Sequence, residues 1–247
     1  MRWLVAIPTY NEAKYARTVL STVLQYADHV LIIDDGSTDA TPCILPEYPV
    51  EVIRHARNRG YGRSMLDAFR WAQVDNFDWV ITMDADEQHE PAAIPQFVDA
   101  ANAGGFDVIS GSRYLASLDG NDLPPIERRK VNACITEEIN ERLGLSLTDA
   151  FCGFKAYRVD ALRRLTLSES GYAFPMQFWV QAVAHGLRIR EIPVRLIYND
   201  PNRTFGGPLN DTTTRLALYR EVLRREIDRC AKLLPPSARV EAECRGA

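Results

Sequence analysis

Trp79-Val80-Ile81-Thr82-Met83-Asp84-Ala85-Asp86-Glu87-Gln88-His89 is the stretch that decides the fold. Residues 79–83 form an apolar, β-branched run, and carboxylates follow at once, which predicts a buried strand over Trp79–Met83 that ends in acids. The same arrangement stands twice upstream. Trp3–Pro8 runs into Thr9-Tyr10-Asn11-Glu12, and His29–Ile33 runs into Asp34-Asp35-Gly36-Ser37-Thr38-Asp39. Val50–Arg54 and Asp107–Ser110 are two further strand runs. Between them, Ala13–Tyr26, Tyr61–Gln73 and Pro91–Ala103 have helical spacing, the last with proline in its first turn. Strands alternating with helices imply parallel βαβ units with right-handed crossovers. The expected fold class is therefore α/β, a mainly parallel central sheet flanked by helices. Ligands of such sheets collect at the carboxyl ends of the strands, where the acids lie.

The second half changes character. Leu115–Pro125 is a loop by composition, Glu127–Leu143 a helix, Phe151–Tyr157 a strand, Phe174–Ala184 a helix and Arg188–Ile197 a strand. Tyr198–Leu209 is a glycine- and proline-broken loop, and Asp211–Leu234 a final helix stopped by Pro235-Pro236. The tail beyond is polar and expected to fray.

Composition removes several functional classes. The 247 residues are 46% hydrophobic and 25% charged, ordinary for a globular chain. Lys and Arg total 29 against 33 Asp and Glu, a net charge of -4, so no nucleic-acid partner is expected. Apolar runs such as Val30–Ile33 fall far short of the roughly 20 residues a membrane helix needs. The opening run stops at Pro8, too early for a signal peptide. The cysteines at 43, 134, 152, 230 and 244 have no CxxC or metal spacing, so free thiols and a cytoplasmic location are expected.

Each strand-end motif has a chemical reading and a bland one. Asp84, Asp86 and Gln88 are spaced two apart and can face one side. Their hard oxygens suit Mg²⁺ or Mn²⁺, with substrate phosphates completing the shell. The bland alternative is a solvated acidic turn. Gly36 and Ser37 or Thr38 read as a turn and helix cap, which leaves Asp34 and Asp35 unexplained. One of these acids can accept from a base N–H or a ribose hydroxyl. Tyr10 can stack on a planar base and Glu12 can accept from it, while Asn11 is read as a helix cap. Together the motifs describe a site that reads a nucleoside and holds its phosphates through a divalent ion.

Pro8-Thr9-Tyr10-Asn11-Glu12, Asp34-Asp35-Gly36-Ser37-Thr38-Asp39, Asn58-Arg59-Gly60-Tyr61-Gly62 and Asp84-Ala85-Asp86-Glu87-Gln88-His89 resemble the family 2 glycosyltransferases of GT-A fold. The nearest resemblance is to the dolichol-phosphate (polyprenyl-phosphate) mannosyltransferase branch. Its downstream marks, Gly111-Ser112-Arg113-Tyr114 and Asp149-Ala150-Phe151-Cys152-Gly153-Phe154-Lys155, are here too. The resemblance covers roughly residues 3–200. It implies that Pro8, Tyr10, Glu12 and Asp35 line the base and ribose pocket. Asp84 would sit by ribose and metal, and Asp86 and Gln88 would complete the metal site. Arg113 and Arg128, or Arg129 beside it, would hold an acceptor phosphate. One domain is expected over residues 1–234, with a nucleotide-binding half (1–111), an acceptor half (112–210) and a C-terminal helix (211–234), followed by a tail (235–247).

Other residues complete the expectations. Gly60-Tyr61-Gly62 is read as a helix start rather than a phosphate cradle. The family usually has glycine near position 67, and the acid here, Asp67, is expected at the surface. Asp149 resembles the general base of members with hydroxyl acceptors. A phosphate monoester needs no base, its second pKa being about 6, and Asp149 would then be an orienting group. The Gly-Ser-Lys segment usual in lipid-phosphate relatives is missing from Tyr198–Gly207, which supplies Arg203 for acceptor or pyrophosphate. The final helix is read as packing on the core or on a second copy in a homodimer. Contact with a membrane surface is a further option. The expected function is inverting transfer of a hexose from GDP-mannose or UDP-glucose to a polyprenyl phosphate. The alternatives are a soluble hydroxyl acceptor with Asp149 as base, and a non-catalytic nucleotide-binding protein.

Overall fold

The computed structural model describes residues 1–122, 126–199 and 207–240. In chain order the elements are β1 (Trp3–Thr9), α1 (Ala16–Val23), β2 (Val30–Asp34), α2 (Thr41–Ile44), β3 (Glu51–Arg54) and α3 (Tyr61–Val74). Then come β4 (Trp79–Thr82), α4 (Ile94–Asn102), β5 (Val108–Ser112), α5 (Ile126–Leu143) and β6 (Lys155–Arg158). The last are α6 (Val159–Leu162), α7 (Phe174–Ala184), β7 (Ile189–Pro193) and α8 (Thr212–Cys230).

The strands form one sheet in the order β3-β2-β1-β4-β6-β5-β7. β2, β1 and β4 lie side by side and parallel, with Val5 opposite Val30 on one side and Ile81 on the other. The alternation of β1 then builds the layers. Leu4 and Ala6 face a core shared with Met65 of α3, Ile135 of α5, Phe178 of α7 and Leu223 of α8. Val5 and Ile7 face the other core, with Val19 and Leu20 of α1 and Phe97 of α4. The α/β expectation holds.

The exception to parallel pairing is β6, antiparallel to both β4 and β5. Phe151–Tyr157 was expected to be strand throughout, yet only Lys155–Arg158 pairs. The amides of Phe151 and Cys152 are taken by the Asp149 carboxylate at 3.1 and 3.2 Å, which winds the chain away from the sheet before it joins. The reversal brings the start of β6 to the edge where β1, β2 and β4 end.

Three expectations fail at the helices. Asn11 does not cap α1; its Oδ1 accepts Thr38 N–H at 2.8 Å and ties two strand-end loops together. Ser37 and Thr38 cap nothing either, and Ser37 Oγ accepts Asn11 N–H. The chain after α8 is not simply frayed, because Pro236–Arg239 is a 3₁₀ turn whose Ala238 is buried and accepts Arg142 Nε at 3.0 Å. The apolar side of α8 packs inward, with Tyr219, Val222 and Ile227 buried. Cys43, Cys152 and Cys230 are free, but Cys134 is disulfide-bonded, against the expectation of free thiols throughout. No described helix is long and apolar enough to cross a membrane.

Candidate active site

Three adjacent parallel strands, β2, β1 and β4, end on one edge and open into a single cleft of about 340 Å³. Pro8, Tyr10, Glu12, Asp35, Asp84, Asp86, Gln88, Arg113 and Arg128 all border it. Asp149 lies behind Arg113, fully buried, and Arg203 lies outside the described residues.

The two acids at the end of β2 have separate work. Asp34 is internal: its Oδ1 accepts Ser37 N–H at 2.9 Å, and Arg54 Nε stands 3.3 Å from Oδ2. Asp35 borders the cleft, and its oxygens accept the amides of Arg59 and Gly60 at 2.8 Å each. Asp67 is not at the surface. It is part-buried and bonds His55 and Arg63, so a charge stands where the family usually has glycine because two partners hold it.

The loop after β4 is a tight acidic turn. Asp86 Oδ1 accepts Gln88 N–H at 3.0 Å, and Glu87 between them takes φ 62°. His89 is buried, and its Nδ1 accepts Asp84 N–H at 2.9 Å. Burial pushes the His89 imidazole down to about 4, so at neutral pH Nδ1 is a free acceptor for that amide. The Asp84 side chain is 36% exposed and faces Gly153, where a Cβ would stand 2.9 Å from both carboxylate oxygens. Glycine there keeps the space beside Asp84 open. Gln88 Nε2 is buried with no hydrogen-bond partner, so its amide is not committed to the protein on that side. No three His, Cys, Asp or Glu among the described residues form a closed cage. Two carboxylates and an amide in an open cradle suit Mg²⁺ or Mn²⁺, which keep positions for water and phosphate oxygens.

Arg113 follows β5 and pairs bidentately with Asp149, Nε to Oδ2 at 2.6 Å and Nη2 to Oδ1 at 3.0 Å. Asn132 Nδ2 adds 2.8 Å to Oδ1. Burial pushes the Asp149 carboxyl up, but the Arg113 charge and these hydrogen bonds outweigh it and carry it down to about 2. A general base needs a lone pair facing its substrate and a pKa near the working pH. Asp149 has neither, so the geometry does not suit the base role expected for a hydroxyl acceptor. Arg113 keeps three of its five guanidinium N–H groups beyond this pair.

Sequence reading missed the aromatic part of the cleft lining. Tyr61, Phe151, Tyr172, Pro175 and Tyr219 make it up, with the Tyr61 and Tyr172 rings stacked at 6.3 Å and the Phe151 and Tyr219 rings tilted to one another at 5.0 Å. Arg215 of α8, also missed, borders the cleft while donating to Leu209 O at 3.0 Å. The signal existed in the aromatic–basic pairing Arg215/Tyr219, but helical spacing assigns such residues to packing. Gly60 and Gly62 have a packing reason: a Cβ would meet Ser170 O at 2.4 Å and Glu169 O at 2.2 Å. The start of α3 is pressed against that loop, and Gly60 and Tyr61 also border the cleft.

The model of the glycosyl transferase family 2 domain matches residues 4–166, strand ends and acidic turn included. The chain belongs to this family. Among its relatives is the undecaprenyl-phosphate mannosyltransferase of Micrococcus luteus, 31% identical over 89% of this chain and 94% of that one. Another is the polyprenol monophosphomannose synthase of Mycolicibacterium smegmatis, 30% identical over 78% and 76%. In structure the family 2 chain resembles glucosyl-3-phosphoglycerate synthase of Mycobacterium tuberculosis in complex with Mn²⁺, UDP and glucosyl-3-phosphoglycerate. That likeness has a TM-score of 0.69 at 18% identity, over 96% of this chain and 81% of that one. The fold is GT-A.

Proposed function

We propose that this family 2 member transfers a hexose from a nucleotide sugar, GDP-mannose or UDP-glucose in type, to a polyprenyl phosphate with inversion at the anomeric carbon. One observation carries the reading. A single cleft is lined by the strand-end acids, by aromatic rings and by Arg113, Arg128 and Arg215. The acids suit a nucleoside diphosphate bound through a divalent ion, and the rings and arginines suit a phosphate on an apolar chain. The names of the two mannosyltransferase relatives support that acceptor.

In this reading Pro8, Tyr10, Glu12 and Asp35 hold the nucleoside. Asp84, Asp86 and Gln88 would hold Mg²⁺ or Mn²⁺. Bound there, the ion would supply neutralising charge to the diphosphate leaving group. Arg128, whose guanidinium lies 5.4 Å from the Tyr198 ring, and Arg113 orient the acceptor phosphate. An acceptor phosphate oxygen attacks the anomeric carbon from the face opposite the nucleotide. The bond from that carbon to the diphosphate oxygen breaks, and the nucleoside diphosphate leaves with the electron pair. The acceptor is already anionic near pH 7, so no protein base is required. Asp149 then serves by fixing the Arg113 guanidinium.

The test is incubation of the protein and Mg²⁺ or Mn²⁺ with radiolabelled GDP-mannose or UDP-glucose, with and without polyprenyl phosphate. Label should enter the organic phase only when the lipid is present. Label transferred instead to a water-soluble hydroxyl acceptor would overturn the acceptor assignment. Nucleotide binding with no transfer to any acceptor would favour a non-catalytic protein.

A further inference from the structure

Asp35 is held from behind by a chain of side chains that the cleft itself does not show. His55 follows β3 and is buried. Its Nδ1 lies 2.6 Å from Asp35 Oδ1, and its Nε2 lies 2.9 Å from Asp67 Oδ2. Asp67 is clamped in turn by Arg63, one turn earlier on α3, through Nε at 2.7 Å and Nη2 at 2.5 Å. The relay Asp35–His55–Asp67–Arg63 thus ties the end of β2 to the body of α3.

We infer that His55 is a positioning residue for the nucleotide, acting through Asp35 and anchored by Asp67. The inference rests on the reading of the cleft as a nucleotide-sugar site. Asp35 Oδ1 receives His55 and the Arg59 amide, while Oδ2 receives the Gly60 amide. A carboxylate oxygen accepts about two hydrogen bonds, so Oδ2 keeps one lone pair for a donor on the base or ribose. The rotation of the carboxylate decides where that lone pair points, and His55 sets it together with the Arg59 and Gly60 amides. The same contacts fix the segment carrying Asn58 and Gly60, which also line the cleft. Asp67 keeps the imidazole from turning away. A ring bonded on one nitrogen alone can pivot about that bond, whereas a ring bonded on both cannot.

The test is calorimetric titration with GDP, and in parallel with UDP, in the presence of Mn²⁺. Donor KM and kcat are measured alongside. His55→Leu should weaken nucleotide binding about tenfold and raise donor KM in step, with kcat and acceptor KM changed less than about threefold. His55→Asn, whose amide nitrogen can stand where Nδ1 stands, should recover most of that loss. Should His55→Leu fail to fold, Asp67→Ala keeps the Asp35–His55 contact while removing its anchor and the pair with Arg63. It should cost about threefold in nucleotide affinity. Binding within twofold of wild type in a folded His55→Leu or Asp67→Ala protein overturns the inference while the donor reading stands. Wild-type protein that binds neither GDP nor UDP overturns the donor reading, and the inference with it.

Discussion

Asp149 shows how one residue type takes opposite roles according to its surroundings. Its oxygens accept Arg113 N, Nε and Nη2, Asn132 Nδ2 and the amides of Phe151 and Cys152. The native carboxyl titrates at about 2 against an ordinary value of 3.8. The unfolded chain therefore binds the proton first as pH falls. Stability from this group is complete above pH 4 and is lost between about 4 and 2, on the order of 2 kcal/mol. Urea midpoints measured from pH 7 to pH 2 should show this loss in the wild type and a smaller one in Asp149→Asn. At pH 7 Asp149→Asn should already be about 3 kcal/mol less stable, because it leaves Arg113 without its buried counter-charge. The kcat/KM profile should carry no limb from Asp149 above pH 4. In the proposed reading a limb near pH 6 would belong to the acceptor phosphate and should move when the acceptor is changed.

At the scale of elements, the turn after β4 and the approach to β6 make one unit. Asp84 and Gly153 face each other only because β6 runs antiparallel beside β4. Gly153→Ala would put a methyl group 2.9 Å from both Asp84 oxygens and push the carboxylate aside. We expect activity to fall at least tenfold, with a higher Mn²⁺ requirement and a melting temperature within a few degrees of wild type. Activity unchanged at limiting Mn²⁺ would show that Asp84 does not depend on that opening. The parallel half was legible because each strand is a short apolar run that stops at a polar motif, and neighbouring parallel strands bring those stops together. The antiparallel β6 was not, since strand direction leaves no trace in a four-residue strand such as Lys155–Arg158. Nor was the pairing of Asp67 with His55 and Arg63. That contact joins a strand end to a helix across 12 residues, and an acid on a helix reads as surface until its partners are placed. The aromatic lining was hidden for a similar reason: Tyr219 and Phe151 have the spacing of core residues and are core on one side, cleft on the other.

Across the whole molecule, the net charge of -4 hides a division of labour. Acids gather where strands end, and Arg113, Arg128 and Arg215 border the same cleft from β5, α5 and α8. Because the cleft draws on elements from both halves of the sheet order, filling it should stabilise the fold as a unit. A ligand at a hundred times its dissociation constant adds about 2.7 kcal/mol. For a chain of this size each kcal/mol raises Tm by roughly 2–4 °C, so saturating nucleotide with Mn²⁺ should raise Tm by about 5–10 °C. Asp86→Ala should keep the native melting transition and most of the rise produced by nucleotide alone, yet lose the increment added by Mn²⁺. A Mn²⁺ increment that survives in Asp86→Ala would place the ion elsewhere and remove Asp86 from the metal site. An increment lost there but kept in Arg113→Ala would separate the acids from the arginine, with the metal held by the former and Arg113 left for the acceptor.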